Sequence, residues 1–263
     1  MKQVRLAIHG AGGRMGQRLV ALAQADPAFS VVAALESPQH PRVGEDAGLL
    51  AGIGPIGVKL SPRLEVPADV VIDFSVPGAV EAILQTCLEK GLPLVVATTG
   101  LSEAQRAQLR AAGERIALVW APNMSLAVNL TMKLAEIAAS ALADKDTDVE
   151  ILERHHRFKE DAPSGTALKF GEIISASMGQ TIYRHGREGR TGTRPRGEIG
   201  YHAIRIGDNP GEHTIVFGTL GETIELTVKA TNRDCYALGA LSAARFLIGK
   251  TAGLYTLQDV LGF

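Results

Sequence analysis

Side chains that can move protons or bind anions are concentrated in one segment of this 263-residue sequence, from Glu153 to Thr166. Within it, His155 and Lys159 are four residues apart, so their side chains can share a face if the backbone turns between them. Histidine exchanges a proton near neutral pH, and lysine can bind, polarise or protonate an anionic substrate. The spacing therefore predicts acid–base chemistry, and the alternative is a solvated polar end of a strand.

The sequence Ser164-Gly165-Thr166 follows and is predicted to begin a helix. The first N–H groups of a helix have no partners inside it, and with two hydroxyls they form a site suited to a carboxylate. No third histidine or cysteine lies at ligand spacing, so no metal site is expected. A loop farther along is basic and is either solvated or placed to attract an anionic substrate; it contains Arg187, Arg190, Arg194 and Arg196.

The second candidate site is the glycine-rich stretch Gly10–Gly16, which follows a short apolar run and opens a helical pattern. A strand-to-helix turn of small residues lets the backbone approach a pyrophosphate at the helix start. The glycines depart from the strict G-x-G-x-x-G spacing, but Glu36 ends the next predicted strand, where a carboxylate can bind an adenosine ribose. We therefore predict a dinucleotide site; the alternative is a tight turn that only packs helix on strand.

Later predicted strands also end in residues that can serve a bound ligand. Ligands of open parallel sheets lie beyond the carboxyl ends of the strands. The ends Phe74-Ser75, Ala97–Thr99 and Ala121–Met124 are therefore candidates to line a nicotinamide, or else are ordinary turns. Arg14 can face the pyrophosphate or a 2′-phosphate, or remain a solvated arginine at the helix start.

The elements that must position these residues change character along the chain. Up to about residue 124, apolar strands alternate with helices, which predicts βαβ units and a parallel sheet. A long helix over 125–143 follows, and strand-like segments at 201–206, 213–217 and 223–229 predict a mixed or antiparallel sheet. Segment 37–67 shows little periodicity, and 184–200 is predicted to be a loop.

We expect an α/β protein with a Rossmann-type parallel-sheet domain and an α+β substrate and oligomerisation domain with an open mixed sheet. The predicted divisions are a dinucleotide-binding domain at 1–124, a substrate-binding and tetramerisation domain at 125–233, and a C-terminal segment at 234–263. That last segment is predicted to form a helix that returns to the first domain.

Composition narrows the class of protein. The formal net charge is −1, which argues against a dedicated nucleic-acid or acidic-membrane surface, so neither nucleic acid nor membrane is expected as a partner. Cys87 and Cys235 match no metal-ligand or C-x-x-C spacing and suit a reduced compartment. Without a signal-peptide pattern or a long apolar stretch, the chain is expected to be soluble and cytoplasmic.

Three motifs together resemble the 4-hydroxy-tetrahydrodipicolinate reductase (dihydrodipicolinate reductase) family. They are Gly-Ala-Gly-Gly-Arg-Met-Gly at 10–16, Ala-Thr-Thr-Gly at 97–100, and Glu-Arg-His-His-Arg-Phe-Lys-Glu-Asp-Ala-Pro-Ser-Gly-Thr-Ala at 153–167. The resemblance extends to Gly-Glu-His-Thr at 211–214 and the closing Leu-Gln-Asp-Val-Leu. It implies a Rossmann-type nucleotide domain, a substrate domain that builds a homotetramer through its sheet, and a dicarboxylate substrate reduced by NADH or NADPH on the lysine and diaminopimelate pathway.

The resemblance also implies residue roles. His155 matches a proton donor or acceptor and Lys159 a proton-donating lysine. The substrate carboxylates would meet His156, Ser164, Gly165 and Thr166. The cofactor would be bound by Gly10, Ala11, Gly12, Gly13, Arg14, Met15, Glu36, Ala97, Thr98, Thr99, Ala121, Pro122, Asn123 and Met124.

One position departs from the family. Many members have a basic residue directly after the acid of the second strand, whereas this chain has Ser37 after Glu36. Glu36 favours a free ribose hydroxyl, so we predict that NADH is used at least as well as NADPH, unless Arg14, His40 or Arg42 supplies the missing charge. Two alternatives stay open here: another Rossmann reductase of amino-acid metabolism, of the aspartate or homoserine dehydrogenase type, and a nucleotide-sensing regulator without turnover.

Overall fold

The structure is a computed structural model that describes residues 3–263, so residues 1 and 2 of the predicted first domain lie outside it. The chain forms two compact units. The first extends to Leu126 and resumes from Asp234 to Phe263, and the second is Ala127–Arg233. No helix within 3–263 is long and apolar enough to cross a membrane.

The elements follow one another in chain order. In the part of the first unit that precedes the second unit they are β1 (Val4–His9), α1 (Arg14–Ala25), β2 (Phe29–Leu35), α2 (Ala47–Leu50), β3 (Leu60–Ser61), β4 (Val70–Asp73), α3 (Pro77–Lys90), β5 (Leu94–Val96), α4 (Glu103–Ala112) and β6 (Ala117–Trp120). They continue with α5 (Leu126–Leu142), β7 (Asp148–His155), α6 (Gly165–Met178), β8 (Ile182–His185), β9 (Glu198–Arg205), β10 (Glu212–Thr219), β11 (Glu222–Lys229), α7 (Asp234–Leu247), β12 (Gly253–Tyr255) and α8 (Leu257–Leu261).

The first unit is built on a seven-stranded sheet in the order β12-β6-β5-β4-β1-β2-β3. All its strand pairs are parallel. Neighbouring residues such as Ala7 and Ile8 belong to different apolar clusters, so the sheet is buried on both faces, as continuous apolar strands require. β2 and β3 lie on one side of β1, and the chain then crosses to place β4 on the other side. Sheets of this kind bind ligands in the crevice at such a reversal of strand order.

Helix ends in this unit follow local sequence rules. Pro77 begins α3, and Gly91 ends it in the left-handed conformation at φ 61°. A capping box begins α4, because the side chains of Ser102 and Gln105 satisfy each other's backbone groups. After the second unit, Asp234 at the start of α7 accepts hydrogen bonds from Arg18 of α1 at 2.7 and 2.8 Å, which ties the C-terminal segment to the first unit.

The second unit contains a five-stranded mixed sheet in the order β11-β10-β7-β9-β8. β9 is parallel to β7 and β8, whereas β10 is antiparallel to β7 and β11. Burial alternates along β10, and the inward residues form a core with α5 and α6 that includes Ile151, Phe170 and Phe217. The two sheets confirm the predicted fold class.

Several short elements were not predicted. Segment 37–67 contains α2 and β3, the presumed loop at 184–200 includes the end of β8 and the start of β9, and β12 was not foreseen. Apart from β9, these elements have two to four residues, and so short a run cannot display a hydrophobic period.

Candidate functional site

The glycine loop occupies the carboxyl end of β1. Gly10 has φ +78°, and a Cβ built on it would lie 2.6 Å from the Phe74 carbonyl oxygen. A Cβ on Gly16 would lie 2.1 Å from the Gly10 carbonyl oxygen. These two glycines are therefore required by close backbone packing of the loop on β4 and α1.

The start of α1 has the features of an anion-binding site. Its N-cap, Gly13, has no side chain to bond the first N–H groups, and the first turn contains no acidic residue. Free N–H groups and the positive end of the helix dipole attract a phosphate. Arg14 and Met15 are the first two helical residues; Arg14 is exposed, and Met15 packs partly against the core.

Glu36 follows β2 directly and lies against the glycine loop. Its Oε2 accepts a hydrogen bond from the Gly12 N–H at 2.9 Å, and its Oε1 accepts one from the Ser37 N–H at 3.0 Å. A Cβ on Gly12 would come within 2.9 Å of the His40 ring, so His40 borders the same place. Arg42 forms an exposed ion pair with Glu45 at 2.6 Å.

A buried carboxylate joins three strand ends. Asp73, the last residue of β4, is fully buried. Its Oδ1 accepts hydrogen bonds from His9 Nδ1 and Ser75 Oγ, and its Oδ2 accepts one from Thr98 Oγ1, each at 2.6 Å. The Thr98 hydroxyl in turn accepts the Ser75 N–H at 3.1 Å. This Asp73 cluster therefore fixes the turns after β4 and β5 relative to β1.

The two predicted nicotinamide turns differ in what they expose. After β5, Ala97 and Thr98 are buried and Thr99 is exposed; after β6, Pro122 is exposed. Asn123 Oδ1 accepts the Ser125 N–H at 2.9 Å, which closes the turn. The Met124 side chain belongs to the apolar core, as does that of Ala121. Met124 thus leaves only its backbone for a ligand.

In the second unit, Glu153 is the centre of the polar site. Its side chain is 1% exposed. Its Oε2 accepts hydrogen bonds from His155 Nδ1 at 2.5 Å and from Arg205 at 2.8 Å, and its Oε1 accepts Arg205 at 2.8 Å and the Ser164 N–H at 3.1 Å. Burial by itself would raise the pKa of Glu153, but the bonds from His155 and Arg205 outweigh it and hold that pKa at about 2.

Ser164 connects this carboxylate to a second histidine. Its hydroxyl accepts the Ala167 N–H at 3.2 Å as the N-cap of α6 and lies 3.0 Å from His213 Nε2. The His155 and His213 rings meet edge to face, with centroids 5.2 Å apart. Burial, with the nearby positive charges of His155 and Lys159, lowers the pKa of His213 to about 4, so this ring is neutral at pH 7.

The chain turns between His155 and Lys159, as their proposed cooperation requires. The Lys159 N–H bonds to the His156 carbonyl at 3.1 Å. Lys159 Nζ donates to Asp161 Oδ1 at 2.8 Å. Buried His156 Nδ1 has no hydrogen-bond partner among the described residues. The predicted helix start is confirmed, because α6 begins at Gly165 with Ser164 as its cap.

The arginines of the basic loop mostly pair with carboxylates of the same unit. Arg187 bonds to Glu150 at 2.6 Å and Glu198 at 2.5 Å, and Arg194 bonds to Asp148 and Glu150. These pairs tie Arg187 and Arg194 to the sheet, a structural role that neither of the two alternatives from the sequence described.

Sequence reasoning missed residues that the fold brings to these places. His9 and Asp73 each end an apolar strand. The only sign of their role in the sequence is that a carboxylate, Asp73, closes the apolar run Val-Val-Ile. Glu153 is the first residue of the motif at 153–167, but the sequence alone assigned it no role. Arg205 and His213 come 52 and 60 residues after Glu153, so their proximity depends on sheet register.

Comparison with known proteins gives one consistent result. Residues 4–124 match the family model described as "Dihydrodipicolinate reductase, N-terminus", and residues 127–261 match the corresponding C-terminus model. A 4-hydroxy-tetrahydrodipicolinate reductase of Rhodopirellula baltica is 57% identical over 98% of this chain and 96% of its own length. The Burkholderia thailandensis reductase is 48% identical, covering 100% of this chain and 99% of that protein. A dipicolinate-bound dihydrodipicolinate reductase from Paenisporosarcina sp. TG-14 superimposes with a TM-score of 0.79 at 27% identity, covering 97% of this chain and 98% of that one.

Proposed function

This chain belongs to the dihydrodipicolinate reductase family, and we propose that it reduces 4-hydroxy-tetrahydrodipicolinate with His155 and Lys159 as its proton-handling residues. The observation that carries the proposal is the polar site around Glu153, which bonds to the buried His155 and to the N–H of Ser164, the cap of α6. Family membership decides against the dehydrogenase and sensor alternatives that the motifs left open.

The reaction balances with one cofactor molecule and one proton. The substrate loses its hydroxyl as water, and the resulting electron-poor ring gains a hydride and a proton to give tetrahydrodipicolinate. A nicotinamide cofactor supplies the hydride when bound. The protein must therefore bind two carboxylates, exclude bulk water and deliver the proton, which His155 or Lys159 can do.

The first unit fits such a cofactor. The uncapped start of α1 and the loop of small residues Gly10–Gly13 suit a pyrophosphate. Glu36, which accepts the Gly12 N–H, would also accept hydrogen bonds from the adenosine ribose. The turns Ala97–Thr99 and Ala121–Met124 would line the nicotinamide with backbone groups, because the Thr98 hydroxyl and the Met124 side chain are committed to the protein interior.

The second unit fits a dicarboxylate. A relative of this chain has been solved with dipicolinate bound. Here the exposed Gly165 and the partly buried Thr166 begin α6, whose N–H groups suit one carboxylate. His156, whose buried Nδ1 has no partner among residues 3–263, is a further donor for the substrate. Buried Ser164 serves this site as a cap and as the partner of His213.

For the cofactor, we propose that NADH is used at least as well as NADPH. Glu36 points at the loop, and the Ser37 hydroxyl bonds to Gln39 at 2.7 Å and carries no charge. Arg42 is held by Glu45, which leaves Arg14 and His40 as the nearby basic groups. A hundredfold preference for NADPH in kcat/KM would overturn this proposal.

For the assembly, we propose a homotetramer formed through the sheet of the second unit. The edge strand β11 has most of its residues exposed, including Ile224, and β9 and its following turn expose Ile204 and Ile206. An exposed edge with apolar side chains favours pairing with another copy. Light scattering after size exclusion should give four times the 27.8 kDa chain mass.

The function is tested by mixing the purified protein with NADH or NADPH and freshly generated 4-hydroxy-tetrahydrodipicolinate. We expect reduced cofactor to be consumed only when substrate is present, with one cofactor oxidised per tetrahydrodipicolinate formed. Cofactor binding without substrate-dependent oxidation would contradict the proposal.

A further inference from the structure

We propose that Glu153 and Arg205 act together as positioning residues that hold His155 in one orientation and one tautomer, with Nε2 as its proton-exchanging atom. The inference rests on the proposed role of His155. It concerns residues that the catalytic motif does not distinguish, one of which lies far along the chain.

The sheet places these groups on one face. Glu153 and His155 are two residues apart on β7, so their side chains point the same way. The register pairs His155 with Arg205 on parallel β9, and Glu153 with His213 on antiparallel β10. Backbone pairing on both sides of β7 therefore places these side chains, and the segment between β7 and α6 adds the Ser164 N–H and the Asp161 carbonyl as further partners.

The carboxylate is saturated by donors. Glu153 accepts two bonds from the Arg205 guanidinium, one from His155 Nδ1 and one from the Ser164 N–H. A further guanidinium bond, to the Asp161 carbonyl at 2.6 Å, holds Arg205 itself. Because bidentate arginine pairs fix geometry, Glu153 cannot swing away to follow another partner.

Arg205 also balances the charge. A buried carboxylate paired only with a histidine would lose its counter-charge whenever that histidine became neutral. Because the Arg205 guanidinium is always charged, it gives Glu153 a cationic partner in both protonation states of His155. Glu153 therefore remains an acceptor throughout and does not itself take the proton.

An ionised acceptor at Nδ1 decides the histidine tautomer. In the neutral ring the proton stays on Nδ1, toward Glu153, and Nε2 carries the lone pair. Nε2 lies beside Gly211, where an added Cβ would be only 3.0 Å away, so a side chain at this position would crowd the nitrogen. The charged or titratable groups around His155 are Glu153, Arg205, His213, Lys159 and Asp161.

The test is Glu153→Gln, with Glu172→Gln as the matched control on the exposed face of α6. We expect kcat to fall by about 10- to 100-fold, the size found for orienting partners of site residues. The pH at which kcat is half-maximal on its alkaline limb should move down, because the His155 imidazolium loses an ionised partner. The affinity for NADH should stay within twofold, and the control should match wild type throughout.

Nitrogen-15 imidazole NMR separates this inference from the proposed function. In wild type, neutral His155 should carry its proton on Nδ1, and in Glu153→Gln the Nε2-protonated form should appear. An unchanged tautomer and an unchanged pH profile in the variant would overturn the inference even if wild type is fully active. A wild type that fails to turn over, with the predicted tautomer in place, would instead refute the proposed function alone.

Arg205→Lys is the second variant, in case Glu153→Gln does not fold. It keeps a positive charge but loses the bidentate contact. We expect the Nδ1-protonated tautomer to persist while kcat falls severalfold. A folded Arg205→Lys protein with wild-type kcat would show that the bidentate contact is not needed to position His155 and would contradict the proposal.

Discussion

The two units each contain a buried carboxylate bonded to the Nδ1 of a histidine near the carboxyl end of a central strand. The pairs are Asp73–His9, at 2.6 Å, and Glu153–His155, at 2.5 Å. They differ in their other partners. Asp73 also accepts hydrogen bonds from the neutral hydroxyls of Ser75 and Thr98, whereas Glu153 accepts a bidentate arginine.

The difference indicates two uses of one motif. Within the part of the chain that the structure describes, His9 is the only ion-pair partner of Asp73, so this pair mainly fastens three strand ends together. Glu153 has its own cation and stays ionised whatever the state of His155. We therefore expect changes at the Asp73 cluster to affect stability and cofactor binding, and changes around Glu153 to affect the chemical step.

The largest expected effect is that of His155→Ala. Loss of a positioned acid–base group lowers rates by about 100- to 10,000-fold. We expect kcat to fall in this range, with NADH affinity unchanged, as measured by steady-state kinetics and by the fluorescence of bound NADH. His185→Ala, at an exposed position on β8, is the control and should retain wild-type kcat. Equal loss in both variants would show that the effect is not specific to the proposed acid–base position.

Asp73→Asn should affect stability and binding more than chemistry. The amide keeps the shape but presents N–H groups or a single oxygen to three donors, so at least one buried partner is left unsatisfied. That loss should reduce the free energy of unfolding by about 1–3 kcal/mol in urea titrations. NADH should bind more weakly because the turns after β4 and β5 loosen. A variant with normal stability and normal NADH binding but a low kcat would contradict the expectation that the Asp73 cluster serves stability and cofactor binding.

Acid should act on the second unit through His213. Its pKa is about 4 in the folded protein and 6.5 when unfolded, so the unfolded chain binds more protons between these values. Stability should therefore fall as the pH drops from about 6.5 to 4, by up to about 3 kcal/mol in total. Below about pH 4.5, protonation of Glu153, whose folded pKa is about 2, should add to the loss.

The check is urea unfolding of wild type and His213→Gln at a series of pH values. The variant should show a flatter profile between pH 6.5 and 4, because glutamine does not titrate. Parallel profiles for the two proteins would mean that His213 does not cause the acid sensitivity.

These contrasts also show what the sequence could and could not reveal. Gly10–Gly16 and Glu36 were predictable because each motif is local, or follows a strand at a known distance. The turn that allows His155 and Lys159 to cooperate was stated as a condition, and the backbone meets it. Arg205 and His213 were not predictable, since parallel β7–β9 and antiparallel β7–β10 pairing leaves no mark in the spacing. The role of Asp73 was not predictable either, because a strand pattern does not show which of its end residues will bond to hydroxyls.

The smallest expected effect concerns cofactor choice. Ser37→Arg adds a cation beside Glu36, where a 2′-phosphate would lie. A charge-assisted contact at so exposed a position should be worth about 1.4 kcal/mol, or tenfold in kcat/KM for NADPH. Ser177→Arg, on α6 in the other unit, is the control. An unchanged NADPH-to-NADH ratio would show that Ser37 does not set the preference.

The central claim is that the second unit transfers the proton and the first binds the cofactor. Its most direct test is to measure kcat and the NADH dissociation constant together for Lys159→Ala. The exposed Lys169→Ala serves as the control. We predict that kcat falls at least a hundredfold while the dissociation constant for NADH stays within twofold of wild type. A kcat within a few-fold of wild type, or a parallel loss of NADH binding, would contradict the assignment of proton transfer to the second unit and cofactor binding to the first.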